Sequence, residues 1–467
     1  MRNLKILLLL ICTVLFSYEP ALSKGVNEKI AYPGGTLHLI RLQLKDKSDT
    51  PYKISEPEKF LSMKAIERRR RQHIGIDSTD LPISPKYLQE IQLNGGKIVC
   101  QSKWNNTVLV AIKNVEEEQR LRELPCIKGA VRVFSSPDSV NASSRNKLIK
   151  DTIKPDSSEH NVYGIAKLQI EMLNGIPLHK AGYKGKGMTI AVFDGGFMNV
   201  DSIPAFQNVN IIATRDFVYP PSNCIYEELD HGTEVLSTMA INEPDIFIGT
   251  APEADYILIR TEDGRTESMA EEDFWAAAAE YADSIGADVI NSSLGYHGFD
   301  KDLGSHQYRD LDGRQAICSR SASMLASKGM ILTNSAGNEG NNTWKKINCH
   351  SDASDILTVG ALTAKRINTL FSSVGPSADG RVKPDVMSLG AHAAVISGAG
   401  KHTYANGTSF ASPITCGMVA CLWQALPQKT ALEIMDLIRS SSDRFDYPDN
   451  VFGYGIPDFW KALQLGR

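Results

Sequence analysis

The stretch Met188-Thr189-Ile190-Ala191-Val192-Phe193-Asp194 is a mostly apolar run that ends at an aspartate. Because apolar residues follow one another without alternating with polar ones, the run predicts a strand buried on both faces, as in a parallel sheet. Similar runs separated by helical patterns follow it. The strands are expected at 256–259, 287–291, 330–333 and 356–360, and the helices at 271–285 and 321–328.

This alternation predicts an α/β fold with a doubly wound, mostly parallel sheet and helices on both faces. In open sheets of this kind, ligands bind beyond the carboxyl ends of the strands. Asp194 and Asn338 each come just after a predicted strand. The sequence therefore predicts that both side chains lie at a functional edge of the sheet.

Three motifs supply an acid, a histidine and a serine in that order. They are Phe193-Asp194-Gly195-Gly196, Asp230-His231-Gly232-Thr233, and Gly407-Thr408-Ser409-Phe410-Ala411-Ser412-Pro413. Alone, the first is typical of a turn, and Ser409 is typical of a helix N-cap. Together, over residues 161–467, they resemble the subtilase (subtilisin-like) serine peptidases, which have this triad order.

The resemblance implies a subtilisin-like catalytic domain and a role for each residue. Ser409 is the nucleophile, His231 the general base, and Asp194 the group that orients His231. Asn338 completes the oxyanion hole, and Ser293, Leu294 and Gly295 bind the substrate backbone beside the P1 pocket. One departure is Gly195, where the family commonly has a hydroxylic residue.

The resemblance thus implies a serine endopeptidase that works through an acyl-enzyme. Two alternatives stay open: a peptide ligase or cyclase on the same fold, and a non-catalytic binding protein. No cofactor or metal is predicted, because no loop has the ligand spacing of a calcium site. Residues 241–245 fit either such a loop or a plain turn.

Residues 1–23 have the features of a signal peptide. Arg2 and Lys5 precede the apolar stretch 7–16, and small residues follow at 21–23. We expect export to the periplasm or the extracellular space, the alternative being a buried N-terminal helix. The partners expected are polypeptide substrates and the chain's own N-terminal unit, with neither nucleic acid nor membrane.

Predicted strands and helices alternate over residues 24–134, which indicates a small α+β domain. In position and pattern this unit resembles the subtilase propeptide, which acts as folding chaperone and inhibitor; an unrelated accessory domain is the alternative. Residues 135–160 are polar without apolar periodicity, so we expect a linker that contains the processing site.

Charge divides unevenly between the two units, with a balance of +7 over 24–134 and −12 over 135–467. This predicts electrostatic complementarity within the chain. The basic run 68–71 is interpreted as a solvated helix face. The acidic stretch 262–273 indicates either a helix N-terminus rich in acids or a preference for basic substrate side chains.

The eight cysteines include five in the catalytic unit, so they cannot all pair there. Cys318–Cys349 is the expected bridge, and Cys100 and Cys126 are a possible pair in the first unit. Cys416 and Cys421, on the serine helix, are interpreted as core residues.

Overall fold

The structure is a computed structural model that describes residues 29–149, 161–222, 225–300 and 304–467. The expected signal peptide, residues 150–160 of the expected linker, and Cys224 lie outside the described residues. None of the described helices has both the length and the apolar composition needed to cross a membrane.

The first unit is an antiparallel sheet of four strands in the order β3-β4-β2-β5, with a small two-stranded pairing beside it. Its elements are β1 (Lys29–Ala31), β2 (His38–Leu44), α1 (Met63–Arg71), α2 (Pro85–Leu93), β3 (Lys97–Ser102), β4 (Thr107–Ile112), α3 (Val115–Arg122), β5 (Ile127–Ser135) and β6 (Ser139–Asn141).

The two faces of this sheet bury different partners. Ile40 and Val110 pack on Ile91 of α2, which forms a core inside the first unit. Leu39 points the other way and packs with Phe274, which belongs to the second unit. Helices α2 and α3 therefore cover one face, as predicted, and the catalytic unit covers the other, whereas α1 packs on the catalytic unit instead of on the sheet.

The second unit is built on seven strands in the order β15-β14-β13-β12-β7-β11-β8, and every neighbouring pair is parallel. Its elements are α4 (Lys167–Glu171), α5 (Ile176–Lys180), β7 (Thr189–Asp194), β8 (Asn210–Asp216), α6 (His231–Ala240), β9 (Asn242–Glu243), β10 (Phe247–Ile248), β11 (Asp255–Arg260), α7 (Ala270–Ile285), β12 (Val289–Ser292), α8 (Ile317–Met324), β13 (Ile331–Ser335), β14 (Leu357–Leu362), β15 (Val386–Leu389), β16 (Ala393–Ile396), β17 (His402–Ala405), α9 (Thr408–Ala425), α10 (Ala431–Ser441) and α11 (Phe459–Gly466).

Strand β7 shows why the apolar run is continuous. Val192 packs in the core formed with α6 and α9, whereas Phe193 packs on the opposite face against Trp275 of α7. Both faces of the strand are buried, so each position needs an apolar side chain. The α/β fold with helices on both faces is confirmed.

Strand β7 also lies where the winding of the sheet changes direction. Its neighbours are β11 on one side and β12 on the other, and the chain visits β8 at the edge before it returns. A crevice forms at such a point, beyond the carboxyl ends of the strands. Asp194, the last residue of β7, therefore lies at the floor of a cleft.

The interpretation of the basic run as a solvated face is wrong for half of its residues. Arg68 and Arg69 of α1 are fully buried and pair with Asp283 of α7, while Arg70 and Arg71 are exposed. A second ion pair, Arg41–Asp273, joins the two units at 2.6 Å. The basic and acidic units thus meet through buried charge pairs.

The expected disulfide is absent from the structure. Cys318 and Cys349 are both buried thiols, and burial raises the pKa of Cys318 well above its usual value. Cys100 and Cys126 are also free thiols, because they lie on opposite faces of the first unit's sheet. Cys416 and Cys421 are buried core residues, as predicted.

Candidate active site

The aspartate and the histidine come from adjoining elements and form an ion pair. Asp194 ends β7 and His231 begins α6, and His231 Nδ1 lies 2.9 Å from Asp194 Oδ2. Gly232 makes this approach possible, because a Cβ there would lie 2.3 Å from the carbonyl oxygen of Gly196. Because Nδ1 is paired with Asp194, Nε2 is the ring nitrogen of His231 that faces the cleft.

The serine lies at the N-terminus of α9, in the same cleft. Its Oγ donates a hydrogen bond of 3.4 Å to the carbonyl oxygen of Ser293, and no hydrogen bond joins it to His231. The ring of His231 lies 6.0 Å from the ring of Phe410, the residue after Ser409. Proton transfer therefore requires Ser409 Oγ to exchange its hydrogen bond with Ser293 for one with His231.

Asn338 is oriented by the residue that precedes the serine. Its Oδ1 accepts hydrogen bonds from the backbone N–H and from Oγ1 of Thr408, both at 2.9 Å. The acceptor end of the amide is thereby occupied, and its Nδ2 donor has no partner among the described residues. The backbone N–H of Ser409, in the first turn of α9, likewise has no hydrogen-bond partner among the described residues. These donors can stabilise an oxyanion.

The electrostatic setting of His231 favours its charged form. Burial alone lowers the pKa of His231, but the Asp194 carboxylate more than offsets this and raises the pKa to about 9. Glu234 and Asp230 add to the same effect. The positive charge that His231 gains during proton transfer is therefore stabilised in advance.

All seven predicted site residues line one cleft of about 550 Å³: Asp194, His231, Ser293, Leu294, Gly295, Asn338 and Ser409. The structure thus brings together every side chain that the sequence singled out. Ser293 also holds the serine helix, since its Oγ donates to the carbonyl oxygen of Ser409 at 2.8 Å.

One flank of the cleft is acidic. Glu262, Glu267 and Glu271 line it together with one cation, Arg265, which pairs with Asp263. Burial, followed by the charge of Glu267, raises the pKa of Glu262 to about 8. Glu262 Oε1 accepts a hydrogen bond of 2.5 Å from the Tyr296 hydroxyl. This flank is the acidic stretch noted in the sequence, and it faces the cleft rather than bulk solvent.

Asn348 lines the cleft although no sequence pattern singles it out. Its Oδ1 is buried and accepts no hydrogen bond from the described residues. The side chain packs against Gly295 and Gly337, where an added Cβ would approach it to 2.9 and 3.2 Å. A lone asparagine in a polar loop has no local signal, so only the folded arrangement shows that it lines the cleft.

The described residues offer no evident metal site. They contain no group of three or more histidine, cysteine or acidic side chains arranged to hold an ion. Within the segment 241–245, residues 242–243 form a strand that pairs antiparallel with residues 247–248.

Comparison with known proteins agrees with this geometry. The sequence profile of the Subtilase family matches residues 185–455, and that of the Peptidase S8 propeptide domain of Bacteroidota matches residues 39–151. The Subtilase match assigns this parallel α/β fold, with an acid, a histidine and a serine in one cleft, to a serine-type endopeptidase. The chain belongs to the subtilase family, and its first unit is a propeptide domain.

Three relatives share about a quarter of their aligned residues with this chain. Subtilisin NAT of Bacillus subtilis subsp. natto is 25% identical over 374 residues, covering 80% of this chain and 84% of the relative. Subtilisin of Bacillus pumilus is 26% identical over 63% of this chain and 94% of its own. The membrane-bound transcription factor site-1 protease of Mus musculus is 27% identical over 66% of this chain and 28% of its own.

Proposed function

We propose that the protein is an exported endopeptidase made as an autoprocessing zymogen, with Asp194, His231 and Ser409 as its catalytic triad. The observation that carries the proposal is the 2.9 Å pairing of His231 Nδ1 with Asp194 in the cleft that Ser409 also lines. It directs Nε2 of His231 toward the serine. Fold alone would not support this assignment, because one fold serves many functions.

The mechanism follows from the roles of these groups. His231 takes the proton from Ser409 Oγ as the oxygen attacks the scissile carbonyl, and then gives it to the departing amine. Asn338 Nδ2 and the Ser409 N–H donate to the oxyanion that forms. Water then hydrolyses the acyl-enzyme by the same proton transfers in reverse.

We further propose that the substrate lies extended along Ser293–Gly295 and that basic side chains are preferred on its unprimed side. Carboxylates of Glu262, Glu267 and Glu271 on that flank support the preference. Arg265 is the one cation that lies beside these three glutamates among the described residues of the cleft lining. A cationic substrate side chain could therefore form an ion pair with them.

The propeptide is proposed to hold the enzyme inactive until it is cut away. Glu280 of α7 supports a tight association, because it accepts hydrogen bonds from the backbone N–H groups of Lys103 and Trp104 at 2.7 and 3.0 Å. Together with the buried arginines of α1, this contact fixes the propeptide sheet on the catalytic unit.

The test is peptide hydrolysis by the wild type and by the Ser409→Ala, His231→Ala and double variants. A triad that acts as a unit predicts that each single change abolishes nearly all turnover and that the double variant is hardly worse. Additive losses, or full activity in Ser409→Ala, would contradict the assignment. Fractionation of cells that express the chain with and without residues 1–23 tests export.

A further inference from the structure

Arg260, the last residue of β11, is a fully buried cation that the triad mechanism does not use. It pairs in register with Asp194, the last residue of β7. Two residues earlier on each strand, Val192 and Leu258 share the core formed with α6 and α9. Because side chains alternate along a strand, Asp194 and Arg260 lie on that same face of the sheet. The arginine is therefore a neighbour of the aspartate of the proposed triad.

The guanidinium of Arg260 reaches a glycine that lines the cleft. Its Nε donates to the carbonyl oxygen of Gly195 at 3.0 Å, and its Nη1 donates to Oδ2 of Asp216 at 3.1 Å. Asp216 is itself held in place, because it accepts hydrogen bonds from the backbone N–H groups of Val218 and Ser222 at 2.9 and 3.2 Å. The arginine thus connects a fixed loop to the cleft.

Gly195 also supports the carboxylate of the triad. Its backbone N–H donates to Asp194 Oδ1 at 2.8 Å. Among the described residues, this N–H and His231 Nδ1 are the two hydrogen-bond donors to that carboxylate. The direction of the Gly195 N–H therefore helps to set how the carboxylate faces His231.

The turn that contains Gly195 has little to hold its own conformation. Gly196 follows, and an added Cβ there would collide with the carbonyl oxygen of Glu228. Glycine has the greatest backbone freedom of any residue, so two in succession form a flexible turn unless other groups hold them. Among the described residues, Arg260 is the one hydrogen-bond donor to the Gly195 carbonyl oxygen. The arginine is therefore the side chain that restricts this turn.

Stability alone is a poor reason to bury this arginine. Its Nη2 is buried and has no hydrogen-bond partner among the described residues, which costs free energy. A buried ion pair such as Arg260–Asp216 often adds little to stability, because desolvation of the two charges offsets their attraction. A role in holding the triad accounts for a guanidinium at this position.

We propose that Arg260 is a positioning residue for the triad, a role that rests on the proposed function. By holding the Gly195 carbonyl oxygen, it keeps the Gly195 N–H directed at Asp194. The carboxylate then stays oriented toward His231 Nδ1, and Nε2 of the same ring stays directed toward the serine. Arg260 does not line the cleft, so it acts through Gly195 and not on the substrate.

The experiment measures peptide hydrolysis by the wild type, Arg260→Met and Arg260→Lys, with rates expressed per Ser409 that a fluorophosphonate labels. In Arg260→Met, kcat should fall about ten- to a hundredfold while KM changes less than about twofold, because a displaced carboxylate misplaces the base and leaves substrate binding intact. Arg260→Lys keeps the charge and one donor group, so its kcat should exceed that of Arg260→Met at least about threefold.

The matched control is Arg215→Met. Arg215 lies on the neighbouring strand β8, but its side chain is exposed, so this variant should keep the wild-type kcat.

A second variant serves if Arg260→Met does not fold. Asp216→Asn leaves the arginine in place without its ion-pair partner, and kcat should fall about threefold at an unchanged KM. In either variant, the downfield NMR signal of the proton between His231 Nδ1 and Asp194 should move from its wild-type position.

Two kinds of failure are distinguishable. An active wild type whose kcat is matched by Arg260→Met, or by Asp216→Asn where the first variant does not fold, overturns the inference and leaves the proposed function intact. So does a loss of kcat that is equal in Arg260→Lys and Arg260→Met. A wild type that neither hydrolyses peptides nor takes the label overturns the proposed function, and the inference with it.

Discussion

Replacing Asp283 by asparagine removes the charge on which the docking of α1 depends. Arg68 donates to Asp283 and is itself fully buried, and no other carboxylate of the described residues forms an ion pair with it. Burial alone would raise the pKa of Asp283, but the two arginines hold it below its usual value, so the carboxylate is ionised. Arg69 keeps a second partner, Asp80, at 2.9 Å.

The expected loss of stability follows from the partners that each arginine keeps. Breaking a buried ion pair by removing one partner costs about 3–5 kcal/mol. We expect the lower end, about 3 kcal/mol, because Arg69 retains Asp80 and Arg68 still donates to the carbonyl oxygen of Lys328. That loss corresponds to about a hundredfold increase in the opening of the docked helix.

Hydrogen exchange measures this opening residue by residue. In a Ser409→Ala background, which under the proposed autoprocessing keeps the chain in one piece, the amides of Met63–Arg71 should exchange about a hundredfold faster after Asp283→Asn. The matched control is Glu67→Gln, which breaks the exposed pair with Arg70 on the same helix and should change exchange little. Equal exchange in the Asp283 variant and its parent would refute the reasoning.

Four further outcomes are expected. Asn338→Ala should lower kcat by about 10²–10³-fold, the range known for loss of an oxyanion-hole donor in subtilisin itself, and should change KM little. An unchanged kcat would contradict the role of Asn338. His231 must be neutral to accept a proton, and Asp194 raises its pKa to about 9, so kcat/KM should still be rising with pH above pH 7. Asp194→Asn should move that rise to lower pH. Since burial raises the pKa of Glu262 to about 8, Glu262 becomes charged between pH 6 and 9, and the preference for basic unprimed side chains should strengthen over that range. Peptide-library profiling should show this change, and a weaker preference in Glu262→Gln. Equal profiles at both pH values would contradict the role of Glu262. Asn348→Gly should increase the turnover of large apolar P1 side chains relative to small ones, and an unaltered P1 profile would show that Asn348 does not shape the pocket.

Much of the fold was predictable because it depends on local patterns. Strand β7 is apolar at consecutive positions since both of its faces are buried, and this signal needs no knowledge of its neighbours. The residues of the cleft were predictable for a different reason. Asp194, His231 and Ser409 lie in short motifs whose order along the chain is itself diagnostic.

The remaining features depend on contacts between distant segments. The sequence does not show that Arg68 meets Asp283, because the spacing of a basic run is the same on a solvated helix as on a docked one. The hypothesis that Cys100 pairs with Cys126 is wrong because the two thiols lie on opposite faces of the sheet, and this depends on the folded path of the chain. Asn348 lines the cleft only because the folded chain packs it against Gly295 and Gly337.

The most direct test of the account is the site of covalent labelling by a fluorophosphonate probe. If Asp194, His231 and Ser409 act as a triad, peptide mapping should find the label on Ser409 in the propeptide-free enzyme and should find none in His231→Ala. Labelling elsewhere, or equal labelling with and without His231, would contradict the central claim.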